Sequence, residues 1–143
     1  METTVKKFDE LTRDELYEIL KLRCDVFVFE QHCFYPDVDG LDREAYHIFL
    51  SENGEISAYL RMFENTDNSV KIGRVVSRER KKGLGRLLMN EAVKAAKQMT
   101  GKSVIKVDAQ VQAIPFYEKL GFKIVSEEFT EAGIPHKKMI LEI

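Results

Sequence analysis

Apolar positions recur along this chain in two periods, and the switches between them mark its elements. Val5 to Phe8 suggests a first strand. Leu11-Thr12-Arg13-Asp14-Glu15-Leu16 then predicts a helix start: Thr12 can cap the N–H of Glu15, Glu15 can reach back to Thr12, and Leu11 can pack on Leu16. Leu16, Ile19, Leu20 and Val26 or Phe27 carry a helical stripe to about Glu30. A polar stretch from Gln31 to Glu44 follows, with Pro36, Asp37, Asp39 and Gly40 as turn-formers, long enough to line a pocket. Tyr46 to Ser51 and Ile56 to Phe63 flank Asn53-Gly54, a strong hairpin signal. Val70 to Ser77 is a fourth strand. Leu84, Leu87, Leu88, Ala92, Ala95, Ala96 and Met99 return to helical spacing, closed by Gly101. Val104 to Ala109 is a fifth strand, a short helix around Tyr117 ends at Gly121, and Phe122 to Phe129 with Lys137 to Ile143 form a last antiparallel pair. This order predicts an α/β fold: a mixed sheet with helices on both faces and a parallel crossover from the fourth strand to the fifth.

At 143 residues and 44% hydrophobic, the chain is expected to form one domain over 1–143 with its own core. A formal net charge of −2, with both signs interspersed, gives no nucleic-acid or membrane surface beyond a local basic cluster at 78–86. No 18-residue apolar stretch and no charged-then-apolar leader occur, so a cytoplasmic location is expected. Cys24 and Cys33 are the only cysteines and read as free thiols. Cys33, His32, His47 and His136 lack the spacing of a metal site, so none is expected.

The basic cluster lies where the fourth strand enters the second long helix, in Arg80-Lys81-Lys82-Gly83-Leu84-Gly85-Arg86. Two glycines let the backbone N–H groups converge, and the first helical turn adds unpaired donors and a positive dipole end, which together suit a diphosphate. Arg80, Lys81, Lys82 and Arg86 supply counter-charge. A Walker A loop needs its lysine after the second glycine, and here the lysines precede Gly83; a dinucleotide fingerprint needs a third glycine where Leu88 stands. The plain alternative is a solvated basic loop. A second segment, Ala113-Ile114-Pro115-Phe116-Tyr117-Glu118-Lys119-Leu120-Gly121-Phe122, has ordinary helix-face packing as its plain alternative.

The two segments in this order, separated by a helix and a strand, resemble the coenzyme A loop and the aromatic helix of the GNAT acyltransferase superfamily. Val26-Phe27-Val28-Phe29-Glu30-Gln31, Asp37-Val38-Asp39-Gly40, Ile72-Gly73-Arg74-Val75-Val76, Ala109-Gln110 and Gly133-Ile134-Pro135-His136 are similar to its ElaA-like (YjcF-like) branch. The resemblance implies a mostly antiparallel sheet whose fourth and fifth strands splay apart, with acetyl-CoA as donor. It places pantetheine along Arg74, Val75 and Val76, the diphosphate on Arg80, Lys81, Lys82, Gly83, Leu84, Gly85 and Arg86, and the remaining coenzyme contacts at Gln110, Phe116 and Tyr117. The Val76 N–H would polarise the thioester carbonyl, and the Tyr117 phenol would donate to the departing sulfur.

Many superfamily members carry a glutamate base on the fourth strand. This chain has Ile72, Gly73 and Arg74 there, which leaves Glu30 and His136 as candidates. Gln31, Arg61, Arg74 and Gln110 are candidates for binding the acceptor. The expected reaction is direct transfer, in a ternary complex, to a small amine or a protein amino group. The alternative is a non-catalytic CoA-binding sensor or interaction module. A homodimer is compatible with either.

Overall fold

The computed structural model describes residues 1–79 and 83–143. Strand β1 (Glu2–Lys7) leads through a 3-10 turn at Phe8–Glu10 into helix α1 (Arg13–Arg23), which continues as a π-helical stretch, Cys24–Glu30. The predicted capping box forms: Glu15 N donates to Thr12 Oγ1 at 3.0 Å and Thr12 N donates to Glu15 Oε1 at 2.8 Å. After the 31–44 loop come β2 (Tyr46–Glu52), β3 (Glu55–Glu64) and β4 (Ser69–Ser77). Asn53 and Gly54 both hold positive φ in the β2–β3 turn, the conformation that matches the strand twist. Helix α2 (Leu84–Ala95) runs on to Thr100 and stops at the left-handed Gly101. Strand β5 (Val104–Gln110), helix α3 (Ile114–Lys119) and strands β6 (Lys123–Ile124), β7 (Phe129–Glu131) and β8 (Ile134–Glu142) complete the described chain.

The eight strands form one sheet in the order β1-β2-β3-β4-β5-β8-β6, with β7 also on β8. Among the described residues, only β4 and β5 pair in parallel. Side-chain alternation sorts the core into two layers. Ile48, Leu50, Leu60, Met62, Val70, Ile72, Ile105 and Val107 meet Leu88, Met89 and Ala92 of α2 on one face. Phe49, Tyr59 and Val76 meet Ile19, Leu22 and Val26 of the α1 segment on the other.

Two predicted boundaries shift. The first strand ends at Lys7 rather than Phe8, because the chain turns at Phe8–Glu10. The single strand expected over 122–129 is broken in two. Lys138 N donates to the Ser126 hydroxyl at 2.8 Å instead of to a backbone carbonyl, so the ladder stops after Val125 and resumes at Phe129.

The β4–β5 ladder runs from Ser69↔Val104 to Ile72↔Val107 and no further. Past Ile72 the two strands part, leaving Gly73–Ser77 without a partner strand on the β5 side. Here β4 also carries a bulge against β3: Arg61 pairs Gly73 and Tyr59 pairs Val76, so Leu60 faces both Arg74 and Val75. Strict alternation from Val70 and Ile72 would turn Arg74 into the α2 core. The extra residue instead sends Arg74 to the opposite face, where it meets Asp37, and lets Val75 pack on the α2 side.

Candidate active site

A groove follows the β4–β5 gap. Its walls come from β4 (Ile72 to Val75), β5 and its extension (Asp108, Gln110, Gln112), α3 (Tyr117), the β7–β8 hairpin (Glu131, Ile134, His136) and the 31–44 loop. Of the residues expected from sequence, Gln31, Arg61, Arg74, Val75, Gln110, Tyr117 and His136 line this one groove. Glu30, exposed at the end of the α1 segment, is not part of its lining, and Val76 is buried on the α1 side. Gln110 Nε2 lies 3.4 Å from Gln31 Oε1 across the gap.

At the head of α2, Gly83 is left-handed (φ 70°), and among the described residues no side chain accepts from the N–H groups of the first turn. Leu84 is buried and Arg86 exposed. Gly85 serves packing as well: a Cβ there would lie 3.1 Å from the Phe116 ring, so α3 sits directly against the first turn of α2. Arg80, Lys81 and Lys82 lie outside the described residues.

Tyr117 is 6% exposed and its ring meets Phe116 and Phe122 edge-on, with centroids at 5.1 and 5.3 Å. Burial pushes its phenol well above the ordinary range, so the proton is retained at neutral pH. His136 stands in β8 opposite Gln110 and stacks on Phe129. Its Nδ1 lies 2.7 Å from the Ile134 carbonyl, an acceptor only, so Nδ1 carries the proton in the neutral ring and Nε2 keeps the lone pair. Glu131 Oε2 lies 3.9 Å from that Nε2.

Sequence reasoning passed over the most heavily charged part of the site. Asp37, Asp39 and Asp42, read as loop residues, each clamp arginines. Arg23 has no exposed surface; its Nε donates to Asp37 Oδ2 at 2.9 Å, Nη1 to Asp42 Oδ1 at 2.7 Å, and Nη2 to the Asp37 carbonyl at 2.8 Å. Arg61 donates twice to Asp39, at 2.9 and 2.6 Å, and once to Asp42 at 3.0 Å. Arg74 Nε sits 2.9 Å from Asp37 Oδ1, an ion pair too poorly aligned for a hydrogen bond, and its Nη2 donates to the Asp37 carbonyl at 3.0 Å. Three carboxylates thus neutralise three guanidiniums. Arg61 and Arg74, read from sequence as candidates for binding the acceptor, are each ion-paired to these aspartates. Pairings separated by 14 to 37 positions leave no local sequence signal.

Beneath the loop, His47 joins the Tyr59 hydroxyl at 2.7 Å and the Asp42 carbonyl at 2.8 Å. Burial, first, and the neighbouring arginines hold the His47 pKa below its ordinary value. Asp39 is held low mainly by its Arg61 hydrogen bonds. Asp42 is held low because the Arg23 and Arg61 contacts outweigh the cost of burial. In each case the unfolded chain binds protons more readily, so stability falls with acidification. Urea midpoints are expected to decline once from about pH 6.5, as His47 titrates in the unfolded chain, and again below about pH 4, as the two aspartates do. A midpoint rising between pH 7 and 4 would contradict this.

Among the described residues, no trio of His, Cys, Asp or Glu is placed to hold a metal ion, and no helix is long and apolar enough to cross a membrane.

Residues 18–143 match the sequence family described as acetyltransferase (GNAT) domain. A UPF0039 protein of Schizosaccharomyces pombe is 42% identical over 147 residues, covering 100% of this chain and 98% of its own. The crystal structure of Escherichia coli ElaA superposes with a TM-score of 0.92 at 35% identity, covering 99% of this chain and 100% of that one. An acyl-CoA N-acyltransferase from Pseudomonas aeruginosa superposes with a TM-score of 0.90 at 38% identity, over 98% and 99% of the two chains. With the parted strands and the glycine-headed helix already in place, these likenesses assign the chain to the GNAT acetyltransferase family, among its ElaA and UPF0039 proteins.

Proposed function

We propose that this protein transfers an acetyl group from acetyl-CoA to an amine, on a small molecule or a protein, by direct attack in a ternary complex. The observation that carries the reading is the end of the β4–β5 ladder at Ile72↔Val107, which leaves the β4 edge open on the β5 side in the same groove as Tyr117. The P. aeruginosa relative is itself named an acyl-CoA N-acyltransferase.

In this reading the donor brings an activated thioester, and the chain supplies the rest. Amides of Gly83, Leu84 and Gly85 hold the diphosphate, joined by the basic side chains of the preceding loop and Arg86. The β4 edge at Arg74, Val75 and Val76 aligns the acyl arm and offers an N–H to the carbonyl oxygen. His136 Nε2, with its lone pair free of the Nδ1 hydrogen bond, accepts the proton of the attacking amine, directly or through one water; Glu131 stabilises the imidazolium that results. Tyr117 donates to the departing sulfur. His136 lines the groove and Glu30 does not, which favours the histidine as base. The pairing of Arg61 and Arg74 with Asp37, Asp39 and Asp42 favours acceptors without a carboxylate.

Free-thiol release from acetyl-CoA across a panel of amines tests the proposal. A non-catalytic CoA-binding module is the second reading, favoured by the lack of a carboxylate at Ile72, Gly73 or Arg74. Tight CoA binding with no turnover on any amine would select it.

The diphosphate seat has its own test. Gly83→Val is expected to weaken CoA binding by about 10- to 100-fold in calorimetry, because valine resists the left-handed backbone by ~1–3 kcal/mol. A Cβ at Gly83 would meet nothing within 4 Å among the described residues, so the loss is conformational. Unchanged affinity would remove the α2 head from the site.

A further inference from the structure

We infer that the Arg74 side chain, clamped by Asp37, is a positioning device: it holds the left-handed bulge of β4 in place and so shapes the acyl-binding edge of the groove. The inference rests on the acyl-transfer reading for its purpose but on geometry for its substance.

Four observations meet at this point. Arg74 has φ 52°, a region that a residue bearing a Cβ occupies only when its surroundings impose it. It is the extra residue of the β3–β4 register. That register shift follows Gly73, one residue past Ile72, where pairing with β5 ends. Finally, Asp37 holds the side chain through both its Oδ1 and its carbonyl, with Asp39 Oδ2 adding a contact at 3.3 Å.

Asp37 is in turn immobilised from behind. Its other carboxylate oxygen receives Arg23 Nε, and its carbonyl receives Arg23 Nη2, from a guanidinium with no exposed surface. The clamp therefore runs from the buried end of α1, through the 31–44 loop, to the strained residue of β4. The same loop reaches the opposite wall, where the Tyr35 ring lies 3.6 Å from the Cβ position of Gly133 in the β7–β8 turn. A residue of the 31–44 loop thereby sets backbone geometry in β4.

A pair of substitutions separates this role from general structural support. Arg74→Ala removes the clamp but keeps a Cβ that opposes φ 52°, so the bulge should relax. Arg74→Gly also removes the clamp but removes the conformational penalty with it. In amide hydrogen exchange, Gly73, Val75 and Val76 are expected to exchange at least about tenfold faster in Arg74→Ala than in the parent, with the β2–β3 amides unchanged. Arg74→Gly should recover most of that difference. Asp37→Asn should reproduce the Arg74→Ala pattern, and circular dichroism verifies that each variant is folded.

In thiol-release kinetics, Arg74→Ala should lower kcat at least about tenfold while CoA affinity stays within about threefold, with Arg74→Gly intermediate. Equal exchange in the parent and Arg74→Ala, or equal loss in the alanine and glycine variants, would overturn the inference. Exchange is read without turnover. A parent protein that releases no thiol therefore counts against the acyl-transfer reading while the clamp is still decided.

Discussion

Replacing Arg23 by methionine is expected to destabilise the protein by about 3–5 kcal/mol, lowering the melting temperature on the order of 10–20 °C. Methionine fills much of the volume, so little of the loss would be a cavity. What remains is electrostatic: Asp37 loses the donor to Oδ2, Asp42 loses its shortest contact, and the Asp37 carbonyl loses Arg23 Nη2. Burial opposes the Arg23 charge, yet its hydrogen bond to Asp42 and the nearby negative charge outweigh it and raise its pKa further. Removing one partner of such a cluster leaves carboxylates in a site that solvent reaches only slightly, which costs more than the intact cluster contributes. Paired urea and thermal melts measure the effect. A change under about 1 kcal/mol would mean that the loop carboxylates find water when the arginine is gone, and that the cluster is less closed than its distances indicate.

The second large effect is on rate. Tyr117→Phe is expected to lower kcat by about 100-fold, the scale on which a lost transition-state donor acts. The ring's packing against Phe116 and Phe122 persists in the variant, so melting temperature and CoA affinity should hardly move. The hydroxyl has no hydrogen-bond partner among the described residues, so phenylalanine breaks no hydrogen bond to them. Because the phenol's pKa is pushed upward, its donor role should persist without a titration step between pH 6 and 9. Any step in that window then belongs to another group. An unchanged kcat in Tyr117→Phe would take the hydroxyl out of the reaction.

The secondary structure was legible because its signals are local. The Thr12–Glu15 box, the Asn53-Gly54 turn and the Gly101 and Gly121 caps each act within a few residues and form as read, while the Leu84 to Met99 stripe forms a helix that buries Leu84, Leu88, Ala92, Ala95 and Ala96 but leaves Leu87 and Met99 exposed. The head of α2 and the aromatic helix were legible for the same reason, and their order pointed to the family. Where the reading failed, at Ser126, a side chain took a backbone acceptor's place, which no periodicity records.

Composition, period and capping were enough to specify most of the elements and their order, since these depend on neighbours within about one helical turn or one hairpin. Three-dimensional contact alone decided that Arg23 is buried, that three aspartates of a polar loop pair with three arginines from α1, β3 and β4, and that β4 bulges at Arg74. It also decided that His136 lines the groove while Glu30 does not. Those outcomes depend on pairings across many residues and on register. One extra residue in β4 exchanges the faces of everything after it, and no local pattern announces where it falls.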